Sequence, residues 1–414
     1  MRRHLSAAAA AVQPAKLAGV LAIWSVTLLY VLFQGGKTSF MLFVMVSVLI
    51  VYLIAGGLSG VRRTKGVREL YSERDKSELL YAGGFLRVSL DITIPGFLPL
   101  PYVVVRETLK RHNGETWVFE ESLIPSLRGR GKLRFQTPAL ERGSYTFSKT
   151  DIVSEDIFGL LEHKGTFMAE GEFRVLPRSV FIPRWQLYER RARLAGPQAS
   201  LVQSRRETTQ INGVRDYVYG DRLTRIHWNA TAKTGAWKSK EFEHESIPKT
   251  VVVLDGSAAA YGTSQQFELA VSIAASVLGF GIRERIGIGL CCLDKNTKVF
   301  APAESGAERQ KMIHYLIDIN AEGKGPLMSR LEKAHRMFPK GSYVVLISPQ
   351  SGQPVLDAMR WADSHGLTPS HIHVRNPAAM NGSGKWMDVL RSRSITGYSI
   401  SSLQELPAVL GGEV

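Results

Sequence analysis

Two uncharged apolar runs near the start of the chain set the strongest limit on its fold. Leu17–Phe33 reads LAGVLAIWSVTLLYVLF and Phe40–Leu58 reads FMLFVMVSVLIVYLIAGGL. As helices, each matches one hydrocarbon core, which takes roughly 17–25 residues per span. A helix in a soluble protein usually keeps one polar face, so two such runs in succession predict a membrane hairpin. Only Gln34–Ser39 lies between them. That segment makes a tight turn and puts both outer ends on one side. Arg2, Arg3 and Lys16 precede the first run, Arg62, Arg63, Lys65 and Arg68 follow the second, and Lys37 alone lies between. The positive-inside rule then places both ends in the cytoplasm. A secretory signal does not fit, because no small-residue cleavage site cleanly follows the first run and a second span comes at once. The predicted location is the cell inner (cytoplasmic) membrane, multi-pass, with the soluble domains facing the cytoplasm.

This hairpin changes the meaning of the charge. The chain has 414 residues and a net charge of +15, yet no acid occurs before Glu69, so the first 68 residues carry +8 of it. The excess reads as a topology and lipid-headgroup signal rather than a nucleic-acid surface. The only cysteines, Cys291 and Cys292, are adjacent. On a strand they point to opposite faces, so they form neither a disulfide framework nor a good metal site, in keeping with a cytosolic body.

The fold class expected is α+β and multidomain: an N-terminal transmembrane helical hairpin (1–64, spans about 17–33 and 40–58), a small all-β domain (65–180), a connector (181–249) and a C-terminal α/β domain (250–414). Short runs such as FLRVSLDITI, YVVVRETL and GSYTFSKTDIV, punctuated by Gly, Pro and Asn, predict a small sandwich or barrel. Within it, Phe158 and Leu160 of DIFGLLEH are expected to plug a sheet edge. Phe181–Arg206 is polar and basic around WQLYERRARLAG and reads as a connector. From Thr250, apolar strands alternate with helices: TVVVLDGS, SQQFELAVSIAASVLGFGIRE, RIGIGLCCL, ERQKMIHYLIDI, PLMSRLEKAHRMF, GSYVVLIS. That alternation predicts a largely parallel sheet between helices.

Sites in such sheets form at the carboxyl ends of strands, which singles out Asp255, Ser257 and Ser348. A carboxylate and a hydroxyl two residues apart suit one hard cation such as Mg²⁺. Ala258, Ala259 and Ala260 add no side-chain oxygen, and Pro349 stands where a further acid would help. Asp255 therefore has two readings, a cation ligand or a residue that caps the next helix or holds its loop. No Gly-rich phosphate cradle follows a strand, and GFGIRE ends a helix, so no nucleotide site is predicted. His371 and His373 share a strand face without a third ligand at recognisable spacing. Ser257 lacks a nucleophile-elbow turn and an assignable base. No catalytic residues and no cofactor are assigned, and the chain is not expected to be an enzyme.

The stretch DYVYGDRLTRIHWNATAKTGAWKSKEFEHES, Asp216–Ser246, mixes Arg222, Arg225, Lys233, Lys238 and Lys240 with Asp216, Asp221, Glu241, Glu243 and Glu245. A general phosphate-binding surface is more one-signed. Gly220-Asp221 carries turn chemistry, TRIHWNATAKTG has room for two helical turns, AWKSKEFEHE alternates as a strand, and an Asp221–Arg225 ion pair is expected. Two readings stay open, an ordered interdomain brace and a partner-docking surface.

With its flanking Arg215, this stretch resembles the DUF58 family, membrane-anchored proteins with a von Willebrand factor A-like domain. The resemblance is carried by Arg215, Tyr217, Gly220, Asp221, Arg225, Ile226, His227, Trp228, Ala232, Lys233, Lys238, Glu241 and Glu245. The earlier Arg142, Gly143, Asp156, Phe158, Gly159 and Leu160 match a second family element. The resemblance implies a von Willebrand A-like (Rossmann-like) C-terminal domain whose metal loop falls on Asp255, Ser257 and Ala259. The second serine of that loop is absent, which argues against metal-dependent adhesion and leaves the fold untouched. It further implies a non-enzymatic membrane-anchored adaptor or scaffold working with a MoxR-like AAA+ ATPase and, at the membrane, with a transglutaminase-like membrane protein. The alternative is a divalent-metal-dependent protein-binding module using Asp255 and Ser257.

Overall fold

The computed structural model describes residues 14–56, 60–71, 79–96, 100–156, 162–189, 207–244, 249–334, 337–376 and 383–412. The chain divides into two compact units, Met1–Leu176 and Pro177–Val414.

The first unit begins with helices α1 (Pro14–Gln34) and α2 (Lys37–Gly56). Gly35 and Gly36 take φ of 57° and 93° at the reversal between them, a backbone region that glycine enters without steric cost. Trp24 ties the pair, donating from Nε1 to Ser47 Oγ at 3.0 Å with its ring 5.7 Å from Phe43. Leu21, Ile23, Val26, Leu32, Phe33, Phe40, Met41, Val48 and Ile54 all face outward. Helix α2 is long and apolar enough to cross a bilayer. Residues 57 and 58 of the expected second span lie outside the described residues.

The hairpin leads into β strands. β1 (Lys65–Tyr71), β3 (Arg87–Thr93) and β6 (Arg130–Gln136) form an antiparallel sheet in the order β1-β3-β6. β2 (Leu80–Tyr81), β10 (Glu172–Leu176), β7 (Gly143–Phe147), β4 (Val103–Arg111), β8 (Thr150–Glu155) and β9 (Glu162–Phe167) follow one another in a second sheet, where β5 (Thr116–Leu123) also pairs with β4. Burial alternates strictly along β4 and β8, as expected for strands with one face on a core. Leu90, Ile92 and Leu133 of the first sheet share a core with Val103, Val105 and Ile152 of the second, so the two sheets pack face to face. Phe158 and Leu160 lie outside the described residues.

One charge of the expected membrane flank belongs to this core instead. Arg68 of β1 is fully buried against Glu107 of β4, with Thr150 Oγ1 donating to Glu107 at 2.7 Å and the Phe147 ring 4.2 Å from the guanidinium. Arg62, Arg63 and Lys65 remain exposed. Counting charges along the chain missed this because the partner carboxylate lies 39 residues away.

The second unit holds a two-stranded ribbon and a six-stranded sheet. The ribbon pairs β11 (Glu207–Asp216) with β12 (Lys238–His244) and carries the short helix α3 (Trp228–Thr234) in its connection. The sheet comprises β13 (Thr250–Asp255), β14 (Ile288–Leu293), β15 (Lys298–Ala303), β16 (Tyr343–Ser348), β17 (Thr368–Val374) and β18 (Thr396–Ile400), in the order β15-β14-β13-β16-β17-β18. Every pairing is parallel except the edge strand β15 on β14. Every residue of β13, β14 and β16 is buried, which is why these strands read as continuous apolar runs. Helices α4 (Ser264–Arg283), α5 (Gly306–Asp318) and α9 (Leu406–Gly411) cover one face, and α6 (Leu327–Ala334), α7 (Gln353–Ser364) and α8 (Ser383–Ser392) the other. Strand alternation sends Cys292 into the first core and Cys291 into the second. Burial pushes the Cys291 thiol up to about 12, which makes it a packing residue. Helix α4 matches a membrane span in length and apolarity, but 13 of its 20 residues are buried, so it is the central core helix.

The unit boundary falls at Leu176/Pro177, and the first residues of the expected connector are core residues. Ile182, Trp185, Leu187 and Tyr188 join the cluster around α4. The Trp185 ring meets Phe280 edge-on at 5.7 Å, and its Nε1 donates to Tyr398 at 3.2 Å. In the sequence these side chains sit among arginines, and no periodicity marks them as buried.

Candidate functional site

The sheet order reverses at β13: the chain leaves it for β14 on one side and later returns as β16 on the other. A crevice outside the carboxyl ends forms at such a switch point. Asp255 ends β13, is fully buried, and organises what lies there. Its Oδ1 accepts from the Ser257 amide at 3.0 Å and the Ser257 hydroxyl at 2.6 Å. Its Oδ2 accepts from Ser348 Oγ at 2.7 Å and Gln350 Nε2 at 2.8 Å. Arg330 Nη2 lies 3.3 Å from Oδ1 and also donates to Ser257 Oγ, while Nη1 donates to the Leu293 carbonyl that ends β14. Ser348 Oγ in turn accepts from the Gln350 amide at 3.0 Å. Each hydroxyl thus donates to the carboxylate and accepts from a further donor.

The structure therefore brings together Asp255, Ser257 and Ser348, and adds Arg330 and Gln350, which sequence reasoning missed. Of the two structural roles expected for Asp255, helix capping falls to Thr263, whose Oγ1 accepts from the Gln266 amide at 3.2 Å. The other role, holding the loop, is the one Asp255 takes, through the Ser257 amide. A divalent cation does not fit these residues. A carboxylate offers about four lone-pair directions, and Asp255 already receives the Ser257 amide and hydroxyl, Ser348, Gln350 and Arg330. The Ser257 oxygen is engaged by the guanidinium. Ala259, where a second loop oxygen was expected to be lacking, is exposed. The hydrogen bonds of Ser257 run to Asp255, Arg330 and Gln350, which is a structural arrangement rather than an activated nucleophile.

The second candidate is the ribbon. Asp221 draws its connection together, accepting from Arg215 Nη2 at 2.7 Å and from the Val218 amide at 3.1 Å, while Tyr217 donates to the Asp221 carbonyl at 3.2 Å. The Arg215 hydrogen bond, then that of the Val218 amide, holds the Asp221 carboxyl below its ordinary range. The expected Asp221–Arg225 pair is replaced by Asp221–Arg215, because β11 delivers Arg215 directly beneath the turn. Gly220 takes φ of 108°. Lys238 pairs with Asp216 across the ribbon. His227 caps α3, its Nδ1 accepting from the Ala230 amide at 3.1 Å, and Ile226 is buried behind it. The Tyr217 and Trp237 rings meet edge-on at 5.4 Å.

Other aromatic and apolar groups point away. Tyr219 is 100% exposed, Trp228 65% and Trp237 52%, with Val218 and Leu223 also exposed. Arg222 and Lys233 of the same connection are also exposed, and among the described residues neither forms an ion pair. Arg225 is half-buried. The side chain of Glu241 and the whole of Glu245 lie outside what the structure describes.

The histidine pair has no third ligand: among the described residues, no group of three or more His, Cys, Asp or Glu side chains is placed to hold a metal. His371 accepts from Trp386 Nε1 at 3.2 Å in a buried contact, and burial pushes its imidazole down to about 3.

Residues 213–380 match the sequence profile of the family described as "Protein of unknown function DUF58". The chain thus carries a DUF58-family segment that spans the end of β11, the ribbon connection, the Asp255 cluster and most of the sheet. It is 24% identical over 304 residues to the uncharacterized protein YeaD of Bacillus subtilis, a stretch covering 72% of this chain and 73% of that one. Among solved structures, proximal thread matrix protein 1 from the mussel byssus aligns with a TM-score of 0.29 and 12% identity over 40% of this chain and 46% of its own. The C-terminal domain of Wzt aligns with a TM-score of 0.24 and 14% identity, over 28% of this chain and 75% of that domain. The architecture is consistent with a protein-interaction module.

Proposed function

We propose that this protein is a non-enzymatic adaptor that docks a partner protein through the exposed aromatic face of its ribbon. The observation that carries this reading is the division of labour within the ribbon connection. Arg215, Tyr217, Asp221 and His227 spend their polar groups on holding the connection in shape. Tyr219 and Trp228 are left projecting into solvent, and Arg222 and Lys233 of the same connection are exposed as well. Exposed aromatics on a pre-organised turn are the usual anchors of protein interfaces. Exposed cations that form no ion pair among the described residues favour an apolar segment flanked by acids.

The outward apolar surface of α1 and α2 supports a membrane anchor, with the exposed Arg62, Arg63 and Lys65 at its end suited to anionic headgroups and a cytoplasmic orientation. The strand order of the C-terminal sheet supports a von Willebrand A-like reading. The resemblance to DUF58 proteins nominates a MoxR-like AAA+ ATPase as the docked partner and a transglutaminase-like membrane protein as a neighbour in the same assembly. The test is affinity purification of the full-length protein from its native membrane, comparing the intact chain with a Tyr219→Ala/Trp228→Ala variant. Recovery of an AAA+ ATPase by the intact chain, with at least tenfold loss in a variant of unchanged melting temperature, is expected. Equal recovery removes the ribbon from the interface, and no ATPase with either chain removes the partner assignment.

A further inference from the structure

Helix α6 presents Leu327, Leu331 and Ala334 to the core, and Arg330 lies on the same buried face. The sequence therefore sends an arginine inward at a position that three-to-four-residue spacing reserves for apolar side chains. Its guanidinium spans the carboxyl ends of two neighbouring parallel strands, reaching the Leu293 carbonyl of β14 and the Asp255 carboxylate of β13. The path it takes is shaped for it. Gly323 pairs with the Asp255 loop, its amide donating to the Gly256 carbonyl at 2.7 Å and its carbonyl accepting from Ala258 at 3.2 Å. A Cβ at this glycine would collide with Arg330 Nη1.

Asp255, Ser257 and Ser348 converge as oxygen donors do around a hard cation, but the positive charge held against Asp255 and Ser257 is a side chain. The serine hydroxyls turn their protons toward the carboxylate and their lone pairs toward other donors. We propose that Arg330 is a tethered replacement for a divalent cation. It makes the strand-end surface blind to metal and leaves a latent oxygen-ligand site beneath the guanidinium. It follows that partner capture by this protein does not pass through a metal bridged to a ligand carboxylate at Asp255. The inference is independent of the docking role given to the ribbon.

The experiment is Mn²⁺ titration of the full-length protein in detergent, read by thermal unfolding and by electron paramagnetic resonance of bound Mn²⁺. Four forms are compared: wild type, Arg330→Lys, Arg330→Gln and the Asp255→Asn/Arg330→Gln double variant. Wild type and Arg330→Lys, which keep the cation, are expected to bind no Mn²⁺ at millimolar concentration. Arg330→Gln is expected to melt several degrees lower, to recover that loss with Mn²⁺ and to hold one ion per chain. The double variant is expected to lose the ion while melting above Arg330→Gln in metal-free buffer. Asp255-dependent binding of Mn²⁺ by the wild type would overturn the proposal, as would an Arg330→Gln protein that folds and ignores Mn²⁺. If Arg330→Gln does not fold without metal, folding of the double variant upholds the charge replacement, and its failure overturns it.

Discussion

Asp255 and Arg330 are 75 residues apart and meet as a buried pair, as do Arg68 and Glu107 at a separation of 39. At the scale of the residue, the acids and hydroxyls of the strand-end cluster were legible. Asp255, Ser257 and Ser348 each follow an apolar run, and open parallel sheets expose such positions at their carboxyl ends. Arg330 was missed although its spacing from Leu327, Leu331 and Ala334 sets it on the apolar face of the helix; what the sequence did not show is that Asp255 would be its partner. Gln350 carried a faint signal, standing two residues after Ser348 as Ser257 stands two after Asp255. His371 yields a prediction at this scale. Its imidazole is lowered from 6.5 to about 3, by burial first and by His373 second. The unfolded chain takes up this proton near its ordinary pKa and the folded chain does not. Stability is therefore complete above the unfolded pKa and falls as pH drops toward the folded one, by about 1.4 kcal/mol per pH unit for one such group. The imidazole of His373, also lowered by burial, acts in the same direction. Denaturant titrations from neutral pH to mildly acidic pH are expected to give a steeper loss for wild type than for His371→Gln. Parallel slopes would remove His371 as a source of acid sensitivity.

At the scale of the element, the ribbon connection combines a turn, a capped helix and a left-handed stop. Turn chemistry at Gly220-Asp221, a helix within TRIHWNATAKTG and a strand after it were readable from residue types, though the helix starts only at Trp228, after a 3-10 turn over Leu223–Arg225. The ion-pair partner of Asp221 was not, because two arginines were within reach and only the course of β11 selects Arg215. Gly235 closes α3 at φ of 69°, and a Cβ there would meet no atom within 4 Å. The cost of Gly235→Ala is therefore backbone strain alone, about 1–2 kcal/mol. Hydrogen exchange is expected to quicken at α3 amides and to stay unchanged in the six-stranded sheet. Tyr219→Ala is the contrasting case: with its side chain wholly exposed, it is expected to move stability by less than about 0.5 kcal/mol, so any effect on partner recovery belongs to the interface.

At the scale of the whole molecule, the second unit takes in Ile182, Trp185, Leu187 and Tyr188 as core residues. Trp185 is 0% exposed in the core around α4. Trp185→Ala is expected to destabilise the second unit by about 3–5 kcal/mol, measurable as a lower denaturant midpoint. A chain beginning at Pro177 is expected to unfold cooperatively, and one beginning after Tyr188 to melt well below it. Equal midpoints would return 177–188 to the role of a connector. The sequence by itself determined the features that rest on local pattern. Uniform apolarity marks the helical hairpin, alternation marks β4 and β8, and fully apolar strands between helices mark a parallel sheet, because each follows from periodicity within a dozen residues. Tertiary structure alone decided which charges are internal and which residues between the domains belong to a core. It also decided that a guanidinium engages Asp255 and Ser257. Those outcomes depend on partners brought together from distant parts of the chain, and the low dielectric of the interior makes each such pairing decisive.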